Sequence, residues 1–501
     1  MRRSRAQRII IVIVVMSVFV IDWRVFADSF MPMHIFAFAP RQHDSRTQST
    51  SDTPFPITET PTSSFTSTFT STITRTPTAS STPTMSRTAS RTRTPSRTST
   101  PSKTATRTIT PTATRSAGSR VPAGIMGLVG RDPFYEVVNG QVNTRAQLTM
   151  GQMMKSIGVR WVRLDMRIPL AMGATHAQID AAISQYDYFI NTVAPANNLK
   201  VLLLLNFDLI MGVDANKIAV GPYRTHPQFG PGYNAYMTEW MFRAQRVIMR
   251  YGKKIHAVEV LNEANRLARY TPSGPIHNGI PPEHWAQLIT TLYRSCNGNR
   301  LGNYCRETPI ILGGLHPRGT EAHGSVPART DMEYLAAIYA STSFTTSFAQ
   351  IKRWPLDAVG YHPYPWELKQ IGVTTLSAAF DRLRAQLLAL NDPLRPVWVT
   401  EIGYNVAYAR QSEAGQADFL ASVYRTLSTR KLANGNREIG VIFWFKYEDF
   451  PPASGADAQQ WGLVTIPFSA GPCPEGFCYR RNGMPSYYRK SWYIYRDLTS
   501  P

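Results

Sequence analysis

Glu263 closes the stretch VEVLNE, and Glu401 follows the apolar run in WVTEIGYN. A facing pair of carboxylates is the minimum equipment for cleaving a glycosidic bond. One protonates the departing oxygen, and the other attacks the anomeric carbon or activates water. A lone acid at a strand end is ordinarily half of an ion pair. Asn262 beside Glu263, together with a second acid on another apolar run, favours catalysis. No His or Cys cluster has metal-ligand spacing, and the two-carboxylate reaction calls for neither a metal nor a cofactor.

Opposing these acids requires a scaffold. From Val121 onward, strand-like apolar runs alternate with helix-length amphipathic segments. IMGLVG is the first run, and RWVRLDMRI, KVLLLLNF, AVEVLNE, PIILGGLHP, DAVGYHPYP, PVWVTEIGYN and GVIFWFKYED follow, eight in all. Strict alternation demands parallel strands with right-handed crossovers. The reading is an α/β fold, a (β/α)8 TIM barrel. A doubly wound open sheet would show a glycine-rich phosphate loop after the first strand, and GLVGRDPFYE has no such pattern.

Chemistry in such a barrel gathers at the C-terminal strand ends. Those ends carry Arg163 on the second strand, Asn206 and Asp208 on the third, Asn262 and Glu263 on the fourth, and His316 on the fifth. His362, Tyr364 and Trp366 follow the sixth, Glu401 ends the seventh, and Trp444, Lys446 and Glu448 lie on or beyond the eighth. A general acid needs a raised pKa and a nucleophile a lowered one. The expectation is a raised value at Glu263, with Arg163 and Tyr364 lowering Glu401. Trp366, Trp444, Tyr447 and Trp461 are candidates for stacking on sugar faces.

The motifs VLNEAN and WVTEIGYN resemble the glutamate signatures of the large clan of retaining glycoside hydrolases with (β/α)8 barrels, which includes cellulase-like and xylosidase-like enzymes. The resemblance covers roughly residues 121–501. It implies Glu263 as acid/base, Glu401 as nucleophile and a β-linked glycan as substrate. It also implies that Asn262 holds the sugar 2-hydroxyl, Arg163 supports the nucleophile, and His362 and Tyr364 form the sixth-strand His-x-Tyr. Trp444 would floor the subsite of the cleaved sugar, and Trp366 is a platform or a core residue. Ala264 stands where many members have Pro, and Asn206 where many have His. A non-catalytic carbohydrate-binding barrel, or a surface adhesin on a stalk, is the rival reading.

Residues 1–40 read as a signal peptide or membrane anchor. A basic start precedes a 13-residue apolar run, Ile9 to Ile21, shorter than the roughly 20 residues of a full span. Residues 41–120 are rich in Ser, Thr and Pro, a composition that cannot bury enough surface to order itself. They are expected to be a disordered linker before a catalytic domain at 121–501. Of the net charge of +21, residues 1–40 carry +3 and residues 41–120 carry +8, leaving +10 for the folded part. The basic N-terminal segments suit an anionic cell surface or membrane. No zinc finger, RNA-recognition signature or Walker loop supports nucleic-acid binding. Four cysteines fall in two close pairs, Cys296 with Cys305 and Cys473 with Cys478, the pattern of local disulfides in an exported chain. A monomer acting outside the cell, secreted or tethered to the outer face of the membrane, is expected.

Overall fold

The computed structural model describes residues 121–211, 215–266, 280–320, 327–408, 411–452 and 459–499. The expected signal or anchor segment and the linker lie outside them. Eight parallel strands close into one barrel in sequence order. They are β1 (Met126–Val129), β2 (Trp161–Asp165), β3 (Lys200–Leu205), β4 (Ala257–Val260), β5 (Ile310–Leu315), β6 (Ala358–Tyr361), β7 (Val397–Gly403) and β8 (Ile439–Phe445). The expected (β/α)8 barrel is observed. β1, β4 to β7, and β3 beyond Lys200, are buried at every residue, because a barrel strand is covered by side chains within and helices without.

Helices start where short polar side chains can accept orphan backbone N–H groups. Asn143, Thr175, Asn234, Thr330, Ser341, Thr375 and Ser412 each cap a helix in this way. Thr175 with Gln178, and Thr330 with Glu333, complete reciprocal capping boxes. The helices lay their apolar faces on the outward strand residues and form the main core.

The inward residues fill the barrel floor. Trp161 and Trp398 meet edge to face at 5.0 Å, among Leu202, Ala257, Ile311, Ala358, Val441 and Phe443. Their bulk is accommodated by glycine on the neighbouring strand: a Cβ on Gly440 would lie 2.2 Å from Nε1 of Trp398. The inward polar side chains Arg163, Glu259 and Glu401 bond one another toward the other end, the C-terminal mouth. Both expected disulfides are formed, Cys296–Cys305 and Cys473–Cys478. Among the described residues no helix is long and apolar enough to cross a membrane.

Candidate active site

Successive strand residues face opposite sides, so Trp161, Arg163 and Asp165 share the inner face of β2. Arg163 is the hub of the mouth. Its Nε donates to Oε2 of Glu259 at 2.6 Å, Nη1 to Oε1 of Glu401 at 2.7 Å, and Nη2 to Oδ1 of Asn262 at 2.8 Å. The rigid guanidinium fork is suited to such divergent bonding, which a lysine cannot reproduce. Burial opposes its charge, but Glu259 and Glu401 hold Arg163 protonated well above its ordinary range. Glu259 has no solvent exposure. Its second oxygen accepts from the backbone N–H of Gly314 at 3.0 Å.

Glu401 sits where the pairing of β7 with β8 slips between Val399 and Ile402. Such an irregularity re-aims side chains, and here the consecutive residues Thr400 and Glu401 both bond into the mouth. Oε2 of Glu401 accepts from the Tyr364 hydroxyl at 3.1 Å. Burial and the adjacent Glu401 push that phenol well above its ordinary value, so it stays a donor.

Beyond β4 the chain turns through left-handed backbone at Leu261 (φ 60°) and Glu263 (φ 44°). Residues other than glycine hold such conformations at a cost of order 1–3 kcal/mol each, and only when their surroundings enforce them. The enforcement is visible. Leu261 N–H bonds Leu205 O at 2.9 Å and Glu263 N–H bonds Gly314 O at 3.1 Å. Asn262 N–H bonds Oδ1 of Asn206 at 3.1 Å. Asn265 clasps the backbone N–H and C=O of His316, both at 2.8 Å. The turn delivers Glu263 to the mouth, where its Oε1 is 2.9 Å from Nδ1 of His362 and its Oε2 is 2.9 Å from Nη1 of Arg266. Nε2 of His362 lies 2.9 Å from Oγ1 of Thr400. A Cβ on Gly314 would stand 1.9 Å from the same Nε2, so only glycine leaves room for this ring.

The electrostatics of Glu263 run against the raised value expected above. Burial pushes it up, but Arg266, His316 and His362 outweigh burial and hold it well below the usual carboxylate range. A raised value would require an apolar or anionic neighbourhood. The fold instead brings three basic side chains to this acid.

Glu263, His362 and Glu401 each present one atom within 4.8 Å of the others. A cation there would compete with Arg163, Arg266 and Tyr364, which already bond the two carboxylates.

The aromatic residues divide. Tyr364, Trp366 and Trp461 gather over the mouth, with ring centres 4.8 Å apart for Tyr364–Trp366 and 5.4 Å for Trp366–Trp461. Tyr408 and Phe445 pack on Trp461 at 5.9 and 5.5 Å. Trp366 is half-buried and its indole N–H bonds Glu367 at 3.0 Å. Trp444 is not in this group. Along β8, Val441, Phe443 and Phe445 face the axis, so Trp444 points outward, fully buried, onto Phe419 at 5.9 Å. Its expected place on the sugar floor is corrected: Phe445 is the β8 aromatic at the mouth. Tyr447 is likewise core. Lys446 and Glu448 form a buried pair at 3.2 Å.

Asp208 belongs to a second cluster, in which Arg167 serves Asp132 at 3.1 Å, Asp165 at 3.0 Å, and Asp208. Burial and the two neighbouring carboxylates push Asp165 up to about 8, against the pull of Arg167. His316 is buried, with Nε2 3.7 Å from Glu367.

Glu259, Thr400, Arg266 and Gly314 escaped the sequence reading as site residues. Only Glu259 carried a signal, a charge inside the run AVEV at the alternation that faces the axis.

No family model and no curated protein matches this chain. Solved structures do. A family 39 glycoside hydrolase from Bacteroides cellulosilyticus WH2 matches at 13% identity and TM-score 0.45, over 76% of this chain; the chain spans 64% of that protein's length. A β-glucosidase from Exiguobacterium marinum matches at 11% identity and TM-score 0.47, over 75% of this chain and 97% of the other. A β-glucosidase from Thermotoga maritima matches at 11% identity and TM-score 0.46, over 76% and 98%. Similarities of this size bear on neither substrate nor mechanism.

Proposed function

We propose that the protein is a glycoside hydrolase that cleaves β-linked glycans with retention, using Glu401 as nucleophile and Glu263 as acid/base. The observation that carries this reading is the approach of the two acids: a carboxylate oxygen of each lies within 4.8 Å of the other. Retaining enzymes hold their carboxyl groups about 5–5.5 Å apart, while inverting enzymes leave about 6.5–9.5 Å for a water.

The roles follow from the partners. Glu401 takes bonds from Arg163 and Tyr364, which aim it for attack on the anomeric carbon. The C–O bond to the leaving group breaks as the bond to Glu401 forms, and the departing oxygen takes a proton from Glu263. Water then attacks the glycosyl–enzyme, giving its proton to Glu263 and freeing Glu401. The cations around Glu263 favour its ionised form, which suits this second, base-catalysed step. Asn262, held by Arg163 and Asn206, is the residue we assign to the 2-hydroxyl. Trp366 and Trp461 offer faces for sugar stacking. The two formed disulfides support a site of action outside the cytoplasm, secreted or tethered at the surface through residues 1–120.

The test is hydrolysis of a panel of aryl β-glycosides by the parent and by Glu401→Gln, with the anomer of the first-formed product read by NMR. Turnover with retained configuration, lost in the variant, is expected. Inverted product would sink the assignment of Glu401 as nucleophile, and an inactive parent would leave a carbohydrate-binding barrel.

A further inference from the structure

The ring of His362 bonds on both sides. Nδ1 lies 2.9 Å from Oε1 of the partly buried Glu263, and Nε2 lies 2.9 Å from Oγ1 of Thr400. His362 and Thr400 have no solvent exposure, and Gly314 closes on the ring so tightly that a Cβ there would overlap Nε2. A proton on Nε2 is therefore accepted by Thr400, since a buried N–H without an acceptor is costly. An ionised carboxylate only accepts, so beside ionised Glu263 the Nδ1 atom is a donor; a hydroxyl can accept as well as donate. The charged and titratable groups around this pair come from four strand ends. Arg266, beyond β4, is 2.9 Å from Oε2 of Glu263. His316, after β5, acts on Glu263, with Glu367 3.7 Å behind it. The Tyr364 ring, beyond β6, stands edge-on to His362 at 6.4 Å. Oε2 of Glu401, on β7, is 3.9 Å from Nδ1.

We propose that Thr400 is a positioning residue of the acid step: by accepting from Nε2–H it lets His362 hold, on Nδ1, the proton that Glu263 delivers to the leaving group. The inference rests on the glycosidase reading and deepens it by assigning the source of the acid's proton. In the free enzyme Glu263 is a carboxylate and Nδ1–H donates to its Oε1. In the first step that N–H bond breaks and an O–H bond forms on Glu263. His362 is left neutral, with its proton on Nε2 bonded to Thr400 and its Nδ1 lone pair toward the acid. Glu263 passes the proton to the departing oxygen as the C–O bond breaks. In the second step the attacking water gives its proton to Glu263, and Nδ1 takes it back, so no proton is gained or lost over the cycle. This removes a difficulty. Arg266, His316 and His362 hold Glu263 ionised in the free enzyme, yet the first step needs it as a donor. A proton kept 2.9 Å away on His362 is at hand without residing on the acid.

The experiment measures kcat/KM against pH for 4-methoxyphenyl and 2,4-dinitrophenyl β-glycosides of whichever sugar the parent hydrolyses. The dinitrophenolate departs unprotonated, whereas the methoxyphenolate needs the general acid. Thr400→Val keeps the shape and removes the hydroxyl. It is expected to lower kcat/KM on the methoxyphenyl glycoside by about 10- to 100-fold and to leave the dinitrophenyl glycoside near the parent's value. Without an acceptor for Nε2–H the proton-bearing form of the Glu263–His362 pair is disfavoured, so the alkaline limb of the methoxyphenyl profile moves to lower pH. Thr400→Ser, which keeps a hydroxyl, is expected to restore most of the rate and the limb. A loss shared equally by the two glycosides, or an alkaline limb that does not move, overturns this inference while leaving the glycosidase reading standing. Absence of hydrolysis of both glycosides by the parent overturns both. If Thr400→Val fails to fold, neutron diffraction from crystals of the parent decides the matter. Deuterium on Nε2 of His362 at a pH below the alkaline limb is expected, and a bare Nε2 there overturns the inference.

Discussion

Oε1 of Glu401 lies 2.7 Å from Nη1 of Arg163, and the same guanidinium is bonded through Nε to the buried Glu259 at 2.6 Å. The nucleophile candidate is thus fixed through an arginine anchored to a carboxylate that no solvent reaches. Arg163→Lys supplies one compact ammonium for three acceptors. It is expected to lower kcat by about 100-fold, the scale of a 1 Å misplacement. Arg163→Ala leaves Glu259 buried without its cation and is expected to cost about 3–5 kcal/mol in urea unfolding. An unchanged kcat in Arg163→Lys would remove Arg163 from the support of Glu401.

Gly314 is expected to tolerate no side chain. A Cβ 1.9 Å from Nε2 of His362 must push the ring away from Thr400 and Glu263. Gly314→Ala is predicted to lose about 100-fold in kcat/KM by the same misplacement argument. Steady-state kinetics, with circular dichroism to check the fold, measure it. Full activity in a folded variant would show that the His362 contact is dispensable.

Trp444 and Trp461 should separate cleanly. Trp461→Ala removes a mouth aromatic and is expected to raise KM roughly tenfold, equivalent to about 1.4 kcal/mol. Trp444→Ala empties a core site and is expected to cost about 3–5 kcal/mol of stability. The milder Trp444→Phe should lose some stability and keep the KM of the parent. A raised KM in Trp444→Phe would contradict its outward orientation.

Three carboxylates share Arg167, and Asp165 is pushed up to about 8 from an ordinary value of 3.8. Its folded value lies above its unfolded one. The fold therefore binds a proton that the unfolded chain releases between those limits. The contribution is fully present below pH 3.8 and is lost as pH rises through about 8. Between pH 5 and pH 8 this one group can take up to about 1.4 kcal/mol per pH unit from stability. Asp165→Asn cannot release the proton, so its melting temperature should fall less over that range than the parent's. Parallel curves for the two proteins would mean that Asp165 is ionised in the fold throughout.

Much of the architecture was legible because local rules and tertiary needs agree. Alternating apolar runs and amphipathic helices admit few topologies, and Ser, Thr and Asn mark the helix starts. The site was legible where a residue type is costly in its position, as with Arg163 in a strand or Glu263 at a strand end. Trp444 misled because the alternation of β8 turns on a single residue. One position later, Phe445 faces the mouth. Glu259 was overlooked because its partner Arg163 lies two strands away around the barrel.

By itself the sequence determined the parallel barrel, the two close cysteine pairs and the presence of acids at the ends of the fourth and seventh strands. Those follow from periodicity and proximity along the chain. Only the tertiary structure decided which side chains surround each acid. The slip in β7 turns Glu401 inward beside Thr400, and the left-handed turn after β4 brings Glu263 under Arg266, His316 and His362. Electrostatic environment depends on distances through space, and barrel closure sets those distances between residues that the sequence keeps far apart.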